Sequence, residues 1–90
     1  MKTLRIYVSG IVQGVFFRAF VREEAEKRGL KGYVRNLEDG RVEVVVEGED
    51  SKVNEMVGMC KQGPPHAQVE NVEISEINHQ GFKDFKIIRF

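Results

Sequence analysis

The sequence has no tryptophan, one cysteine and two prolines among its 90 residues. Cys60 has no second cysteine to pair with, and this usage is typical of proteins in a reducing compartment. No run of about 20 apolar residues could cross a membrane. An alternating pattern, rather than the apolar core of a secretion signal, follows Met1 directly. The sequence therefore predicts a cytoplasmic protein that does not associate with a membrane.

An excess of charge of either sign is also missing, because 14 Lys and Arg offset 14 Asp and Glu. General binders of nucleic acid or of membrane surfaces are normally basic, so this balance argues against both classes. The charges are nevertheless unevenly distributed. The first acidic residue is Glu23, and four cations precede it: Lys2, Arg5, Arg18 and Arg22. The N-terminal quarter of the chain is therefore locally positive.

Hydrophobic periodicity predicts five strands and two helices. Apolar residues alternate in five segments, at residues 4–9, 31–37, 41–47, 69–77 and 85–89. Helical spacing occurs in two sets, which are Phe17, Phe20, Val21 and Ala25, and then Val53, Met56, Val57 and Cys60. The order β-α-β-β-α-β, followed by a short strand, is the split βαβ or ferredoxin-like plan of the α+β class. We expect residues 1–90 to form one domain, with both helices on one face of an antiparallel-rich sheet.

Local signals refine this prediction at the element ends. Asp39-Gly40 predicts a tight hairpin between the second and third strands, and in the third strand Glu43, Val45 and Glu47 face away from the other valines. Asp50 or Ser51 is the expected cap of the second helix, and residues 63–65 (Gly-Pro-Pro) should end it. The alternation of the fourth strand shifts phase between Ile74 and Ile77, which predicts a bulge near residues 75–76.

The segment that joins the first strand to the first helix breaks two rules for helix starts. Gly10 and Gly14 permit a tight turn and a close approach to a ligand. No Ser, Thr, Asp or Asn lies between Gln13 and Arg18 to cap the helix, so its first N–H groups lack an obvious partner. Arg18 also has the wrong charge for the positive end of a helix dipole. This combination is typical of an anion site, although a solvated helix start with a surface arginine would look the same.

Other reactive residue types offer no comparable cluster. Cys60 lies on the apolar stripe of the second helix, which favours a small core residue over a nucleophile. His66 and His79 fall in expected loops without the spacing of metal ligands, so no metal site is expected. Arg35 could strengthen the positive field, but a solvent-facing strand residue is the simpler interpretation.

Two segments resemble the signature motifs of the acylphosphatase family. The first is Gly10-x-Val12-Gln13-Gly14-Val15-x-Phe17-Arg18. The second is Gly32-Tyr33-Val34-Arg35-Asn36-x-x-x-Gly40-x-Val42, which ends in Gly48. The resemblance extends over essentially the whole chain in length and element order, and both motifs are long enough to be specific.

The resemblance implies an enzyme that hydrolyses the carboxyl–phosphate bond of acyl phosphates to a carboxylate and inorganic phosphate, with no metal or organic cofactor. Carried over to this sequence, Arg18 binds the phosphoryl group and Asn36 positions the attacking water. The phosphoryl oxygens are cradled by backbone N–H groups of Gln13, Gly14, Val15, Phe16, Phe17 and Arg18. The implied ligands are a small acyl phosphate, or phosphate or sulfate at the loop. Whether the chain dimerises is left open.

Two other classes of function are compatible with the fold. Lys31-Gly32-Tyr33 is similar to the start of an RNA-binding strand of an RRM, but the next residues lack the expected aromatics and the strand is second rather than third. A non-catalytic anion-sensing domain is disfavoured because both Arg18 and Asn36 are present. A carbamoyl-phosphate module, like that of hydrogenase-maturation proteins, is disfavoured by the chain length.

Overall fold

The computed structural model describes residues 1–89, which contain five strands and two helices. In chain order these are β1 (Lys2–Ile11), α1 (Val15–Lys27), β2 (Lys31–Asn36), β3 (Val42–Gly48), α2 (Asp50–Gln62), β4 (Gln68–Ile77) and β5 (Phe85–Ile88). The strands form one sheet in the order β4-β1-β3-β2-β5. Every neighbouring pair is antiparallel except β2 and β5, which are parallel. The expected ferredoxin-like α+β fold is confirmed.

The hydrophobic core lies between the helices and one face of the sheet. On β1 the alternating residues Leu4, Ile6 and Val8 pair with valines of β3 and are buried. Both helices present their expected stripes to this face, although Phe20 and Val57 are only partly buried. Cys60 is fully buried in α2, and burial raises the pKa of its thiol to about 12. At neutral pH this cysteine is therefore a small apolar core residue.

The start of the second helix differs from the expected one. Glu49, rather than Asp50 or Ser51, occupies the cap position, and no side chain caps the helix. The backbone N–H of Val53 donates to the carbonyl of Glu49 at 2.9 Å, so the helical ladder begins one residue earlier than expected. Asp50 then lies in the first turn, where its charge favours the positive end of the helix dipole.

The bulge expected near residues 75–76 is absent, and that prediction was wrong. β4 pairs with β1 without a shift from Ile77 opposite Thr3 to Ile74 opposite Ile6. Ile74 therefore shares the helix-facing side with Ile6, and Ile77 shares the opposite side with Thr3. The two isoleucines belong to different faces of a regular strand, so the apparent change of phase needs no extra residue.

The register of β1 and β4 shifts instead beside the glycine loop. Ser9 pairs with Asn71 and Gly10 pairs with Val69, which leaves Glu70 as the extra residue. Gly10 has a φ of 127°, and a Cβ at this position would overlap the carbonyl oxygen of Gln68. Only glycine fits here, and the bulge changes the direction of the chain just before the loop.

The open face of the sheet, opposite the helices, holds two buried carboxylates. Glu43 and Glu47 lie on β3 and point away from the core as expected, yet each is only 3% exposed. Glu43 accepts hydrogen bonds from the Tyr33 hydroxyl at 3.1 Å and from Arg35 Nε at 2.6 Å. The burial was not anticipated, because the alternation of β3 alone places both carboxylates on a face that is open to solvent.

Glu47 fixes the loop of residues 78–84 that connects β4 to β5. It accepts a hydrogen bond from the Thr3 hydroxyl at 2.6 Å. The backbone N–H groups of Gln80, Gly81 and Phe82 donate to its two oxygens at 2.6, 3.0 and 3.1 Å. The loop has no regular secondary structure of its own, and this one carboxylate holds it against the sheet.

Glu47 gives the fold a specific dependence on pH. Burial alone would raise the pKa of its carboxyl, but the hydrogen bonds from Gln80, Thr3 and Phe82 outweigh this and hold the pKa below its ordinary value of 4.5. A carboxyl with a lowered folded-state pKa stabilises the fold above its unfolded-state pKa, and this stabilisation is lost as pH falls. We therefore expect Glu47→Gln to lower the free energy of unfolding by about 2–4 kcal/mol at pH 7. The stability lost in this variant should become smaller as the pH falls below 4.5.

Urea denaturation followed across this pH range measures the effect. The control is Glu76→Gln, since Glu76 is an exposed glutamate of β4. Equal losses of stability in the two variants at pH 7 would show that the buried hydrogen bonds of Glu47 add nothing to the free energy of unfolding beyond what an exposed glutamate contributes.

Candidate active site

The two residues singled out by the motifs line one cavity of about 240 Å³, together with Ile88 and Arg89. Arg18 comes from the beginning of α1. Asn36 is the last residue of β2, two positions after the buried Val34, so its side chain lies on the helix-facing side of the sheet. Ile88 ends β5, which pairs with β2. The alternation of β2 therefore places Asn36 on the same side of the sheet as Arg18.

Arg18 is half-buried and weakly held. Its Nε donates to the carbonyl of Gly14 at 3.4 Å and its Nη1 donates to the carbonyl of Ile88 at 3.5 Å, both long contacts. Within residues 1–89 no carboxylate lies within salt-bridge distance of it, whereas Arg22, Arg28, Arg35 and Arg41 each have one. No acid of this part of the chain neutralises the guanidinium.

Asn36 carries a buried oxygen that accepts no hydrogen bond. Its Oδ1 is shielded from solvent and has no partner among the described residues. Leaving a buried acceptor unpaired is unfavourable, so a well-folded protein rarely keeps one without a use. Asn36 also lines the cavity, which makes its amide oxygen a candidate acceptor for a molecule bound there.

The start of α1 leaves backbone N–H groups available. The helix begins at Val15 after Gly14, whose φ of 111° favours glycine, and it has no side-chain cap. No hydrogen bond is found from the N–H groups of residues 14–17 to any described residue. The side chains of Val15 and Phe16 are 54% and 84% exposed, while Phe17 is buried in the core. Phe17 can therefore contribute to a site here only through its backbone.

Gln13 has a contact that the sequence did not reveal. Its side-chain Nε2 donates to the carbonyls of Leu37 at 2.7 Å and of Arg41 at 3.3 Å. Both acceptors lie in the turn between β2 and β3, directly after Asn36. Gln13 thus ties the glycine loop to the hairpin that carries Asn36. A loop glutamine gives no sequence signal for such a contact, since exposed loops are normally polar.

Ile88 and Arg89 are further cavity residues that the sequence did not single out, because a short terminal strand carries no motif.

His66 and His79 lie outside the cavity, and His79 Nδ1 is 3.3 Å from Glu47. Over residues 1–89 no three His, Cys, Asp or Glu side chains cluster as metal ligands would. Neither α1 nor α2 has the length and apolar character needed to cross a bilayer.

Comparison with known proteins identifies the family. The family model described as Acylphosphatase matches residues 4–87. An acylphosphatase of Syntrophus aciditrophicus is 48% identical over 89 residues, which cover 98% of this chain and 93% of the relative. One from Rubrobacter xylanophilus is 61% identical over 75 residues, covering 83% of this chain and 68% of that protein. The crystal structure of acylphosphatase from Bacillus subtilis matches with a TM-score of 0.94 at 42% identity, over 98% of this chain and 99% of that one. The chain therefore belongs to the acylphosphatase family, and its activity is the hydrolysis of acyl phosphates.

Proposed function

We propose that Arg18 and the N–H groups of residues 13–18 bind the phosphoryl group of an acyl phosphate while Asn36 orients the attacking water. The observation that carries this proposal is that Asn36, whose Oδ1 has no partner among residues 1–89, lines the same cavity as Arg18, whose guanidinium has no carboxylate partner in that part of the chain. One group offers positive charge to an anion, and the other offers an acceptor to a water molecule beside it. A phosphate or sulfate ion should occupy the same position as the phosphoryl group.

The phosphoryl group needs charge stabilisation more than covalent chemistry. Phosphoryl transfer is catalysed mainly by positioning and by stabilising the transferring oxygens. A guanidinium can hold two of these oxygens through parallel hydrogen bonds, and N–H groups at a helix start can hold the others. Arg18 and the uncapped start of α1 are adjacent in the chain, so they can act on the same group.

The reaction balances without an outside acid. Water adds to phosphorus, the phosphorus–acyl oxygen bond breaks, and its electron pair leaves on the carboxylate. Both protons of the water end on phosphate, so an acyl phosphate dianion gives a carboxylate and dihydrogen phosphate. Because the conjugate acid of the leaving group has a pKa of about 4, it departs unprotonated at neutral pH. Among residues 1–89, the lining of this cavity includes no carboxylic acid or histidine, which agrees with such a reaction.

Asn36 suits the positioning of water better than the removal of its proton. A neutral amide is a poor base, but its oxygen can accept a hydrogen bond from water and so fix the direction of a lone pair, as a glutamine does in some GTPases. The hydrogen bonds of Gln13 to the β2–β3 turn support this geometry by holding the glycine loop close to Asn36. We also propose a cytoplasmic location, which is supported by the single, buried cysteine.

The contribution of the backbone can be tested at Val15, the first residue of α1. Proline is well tolerated at this helix position but has no N–H, so Val15→Pro removes one donor while keeping the helix start. We expect kcat/KM for benzoyl phosphate to fall about 10²–10³-fold in Val15→Pro. Val15→Ala, the matched control, keeps the N–H and should stay close to the unchanged protein.

The assay is run with EDTA, so that activity reports the protein groups alone. Equal activity in the proline and alanine variants would remove Val15 from the cradle. A folded, unsubstituted protein without turnover would point to the non-catalytic anion sensor instead, and titration with inorganic phosphate would then test binding directly.

A further inference from the structure

Arg5 is a second arginine without a carboxylate partner, and it lies on the open face of the sheet, away from Arg18. Its Nε is buried and donates to no described residue. Its guanidinium carbon lies 5.6 Å from the centre of the Tyr7 ring, and across residues 1–89 no carboxylate is within salt-bridge distance. A shielded cationic donor without an acceptor is unfavourable. The acylphosphatase site does not account for it.

Arg5 forms one wall of a cavity of about 280 Å³. Val45 lies directly across from both Arg5 on β1 and Tyr33 on β2, so the three side chains share one face of the sheet. Phe82 stands edge-on to Tyr33, with ring centres 5.9 Å apart and an angle of 77° between the rings. Ile77 completes the apolar lining. A cation thus borders a mixed cavity that also offers aromatic and aliphatic side chains.

The remaining wall of this cavity is a loop that the protein itself holds in place. Asn78, Gln80 and Phe82 belong to the loop of residues 78–84 and line the cavity. The N–H groups of Gln80 and Phe82 are bound by the buried carboxylate of Glu47. Small-molecule sites are usually pre-formed cavities in which a few polar groups are fixed in place, and this wall is fixed in that way.

We propose that the Arg5 cavity binds a small monocarboxylate with a flat apolar body. The carboxylate pairs with the part of the Arg5 guanidinium that borders the cavity, and the apolar body packs against Tyr33, Ile77 and Phe82. A carboxylate is favoured over phosphate because Glu43 and Glu47 lie on the same face and would repel a dianion more strongly. The site is separate from the one in Proposed function and does not depend on Arg18 or Asn36.

The test is a titration of the ¹⁵N-labelled protein with sodium benzoate at constant ionic strength, followed by amide chemical shifts. We expect saturable shifts at residues 5, 33, 45 and 82, with a dissociation constant in the millimolar range. Arg5→Gln should weaken binding at least about tenfold. Arg22→Gln removes the same charge from an exposed arginine of α1 and should leave binding unchanged. Benzamide has the same ring as benzoate but no charge. Its affinity for the unsubstituted protein should therefore be no higher than the affinity of benzoate for Arg5→Gln.

Three outcomes would overturn this inference: no saturable shifts, equal shifts in Arg5→Gln, or shifts confined to residues 13–18. Arg18→Ala should keep the benzoate shifts, and Arg5→Gln should keep acylphosphatase activity, so failure at one site does not imply failure at the other. If Arg5→Gln does not fold, Arg5→Lys keeps the charge without the fork of donors and should still weaken benzoate binding. Unchanged binding in that variant would count against bidentate pairing.

Discussion

Arg18→Ala should lower kcat/KM for benzoyl phosphate by about 10³-fold or more, the largest activity loss expected of any single substitution in this protein. A positioned arginine that stabilises a transferring phosphoryl group is worth about 10³–10⁵ in rate in other phosphoryl-transfer enzymes. The other cation that lines the cavity, Arg89, lies beyond the end of β5 and outside regular secondary structure, whereas Arg18 is part of α1. The loss should also appear as weaker inhibition by inorganic phosphate, because in the proposed mechanism the same guanidinium binds substrate and product.

Arg18→Lys separates charge from geometry. Lysine keeps the positive charge but cannot offer two parallel N–H donors to one phosphoryl group. We therefore expect most of the activity to be lost in this variant as well. Arg22→Lys, one turn further along α1, changes an exposed arginine that pairs with Glu26 at 3.5 Å and should retain activity. Wild-type turnover in Arg18→Lys would exclude bidentate binding, and matching thermal melts would show that the fold is preserved.

Asn36→Ala should lower kcat by about 10²–10³-fold while the inhibition constant of phosphate changes little. The magnitude is that of one lost hydrogen-bonding side chain in a catalytic site. The expected split between kcat and binding follows because, in the proposed mechanism, the amide contacts the water and not the phosphoryl group. Steady-state kinetics with phosphate as a competitive inhibitor give both quantities in one series.

Asn36→Ala should not lower the stability of the fold, in contrast to its effect on turnover. Asn36 Oδ1 is buried without a partner among residues 1–89, so its removal relieves an unpaired acceptor. The free energy of unfolding should stay equal or rise while turnover falls, as at sites that keep an unfavourable group for function. A binding defect with unchanged kcat, or a clear loss of stability, would place Asn36 among structural residues instead.

The sequence predicted the elements and the approach of Arg18 to Asn36 because both depend on local periodicity. Val34 and Asn36 are two positions apart on one strand, so a buried Val34 directs Asn36 to the helix side. Phe17 and Val21 fix the face that α1 presents to the core, and Arg18 lies beside that face. These relations need only the periods of a strand and a helix.

What the sequence could not predict depends on contacts between distant segments. The loop of residues 78–84 covers the open face, so Glu47 is buried where alternation alone indicates exposure to solvent. The apolar side chain of Ile77 lines the cavity on the same face. The side-chain contact of Gln13 is equally non-local, since its acceptors lie in another turn. The start of α2 was misplaced because Asp50 and Ser51 are good capping residues by type, but the backbone bond from Val53 to Glu49 decides where the helix begins.

The long contact of Arg18 with the Ile88 carbonyl has a consequence for how the protein folds. The cavity takes its walls from the beginning of α1, the end of β2 and the end of β5, so it exists only after the two halves of the chain have met. Contacts between residues far apart in sequence require closure of long loops and slow the folding of small domains. The cavity is therefore complete only when β5 lies beside β2, and we expect a chain without this pairing to be inactive even if its glycine loop has formed.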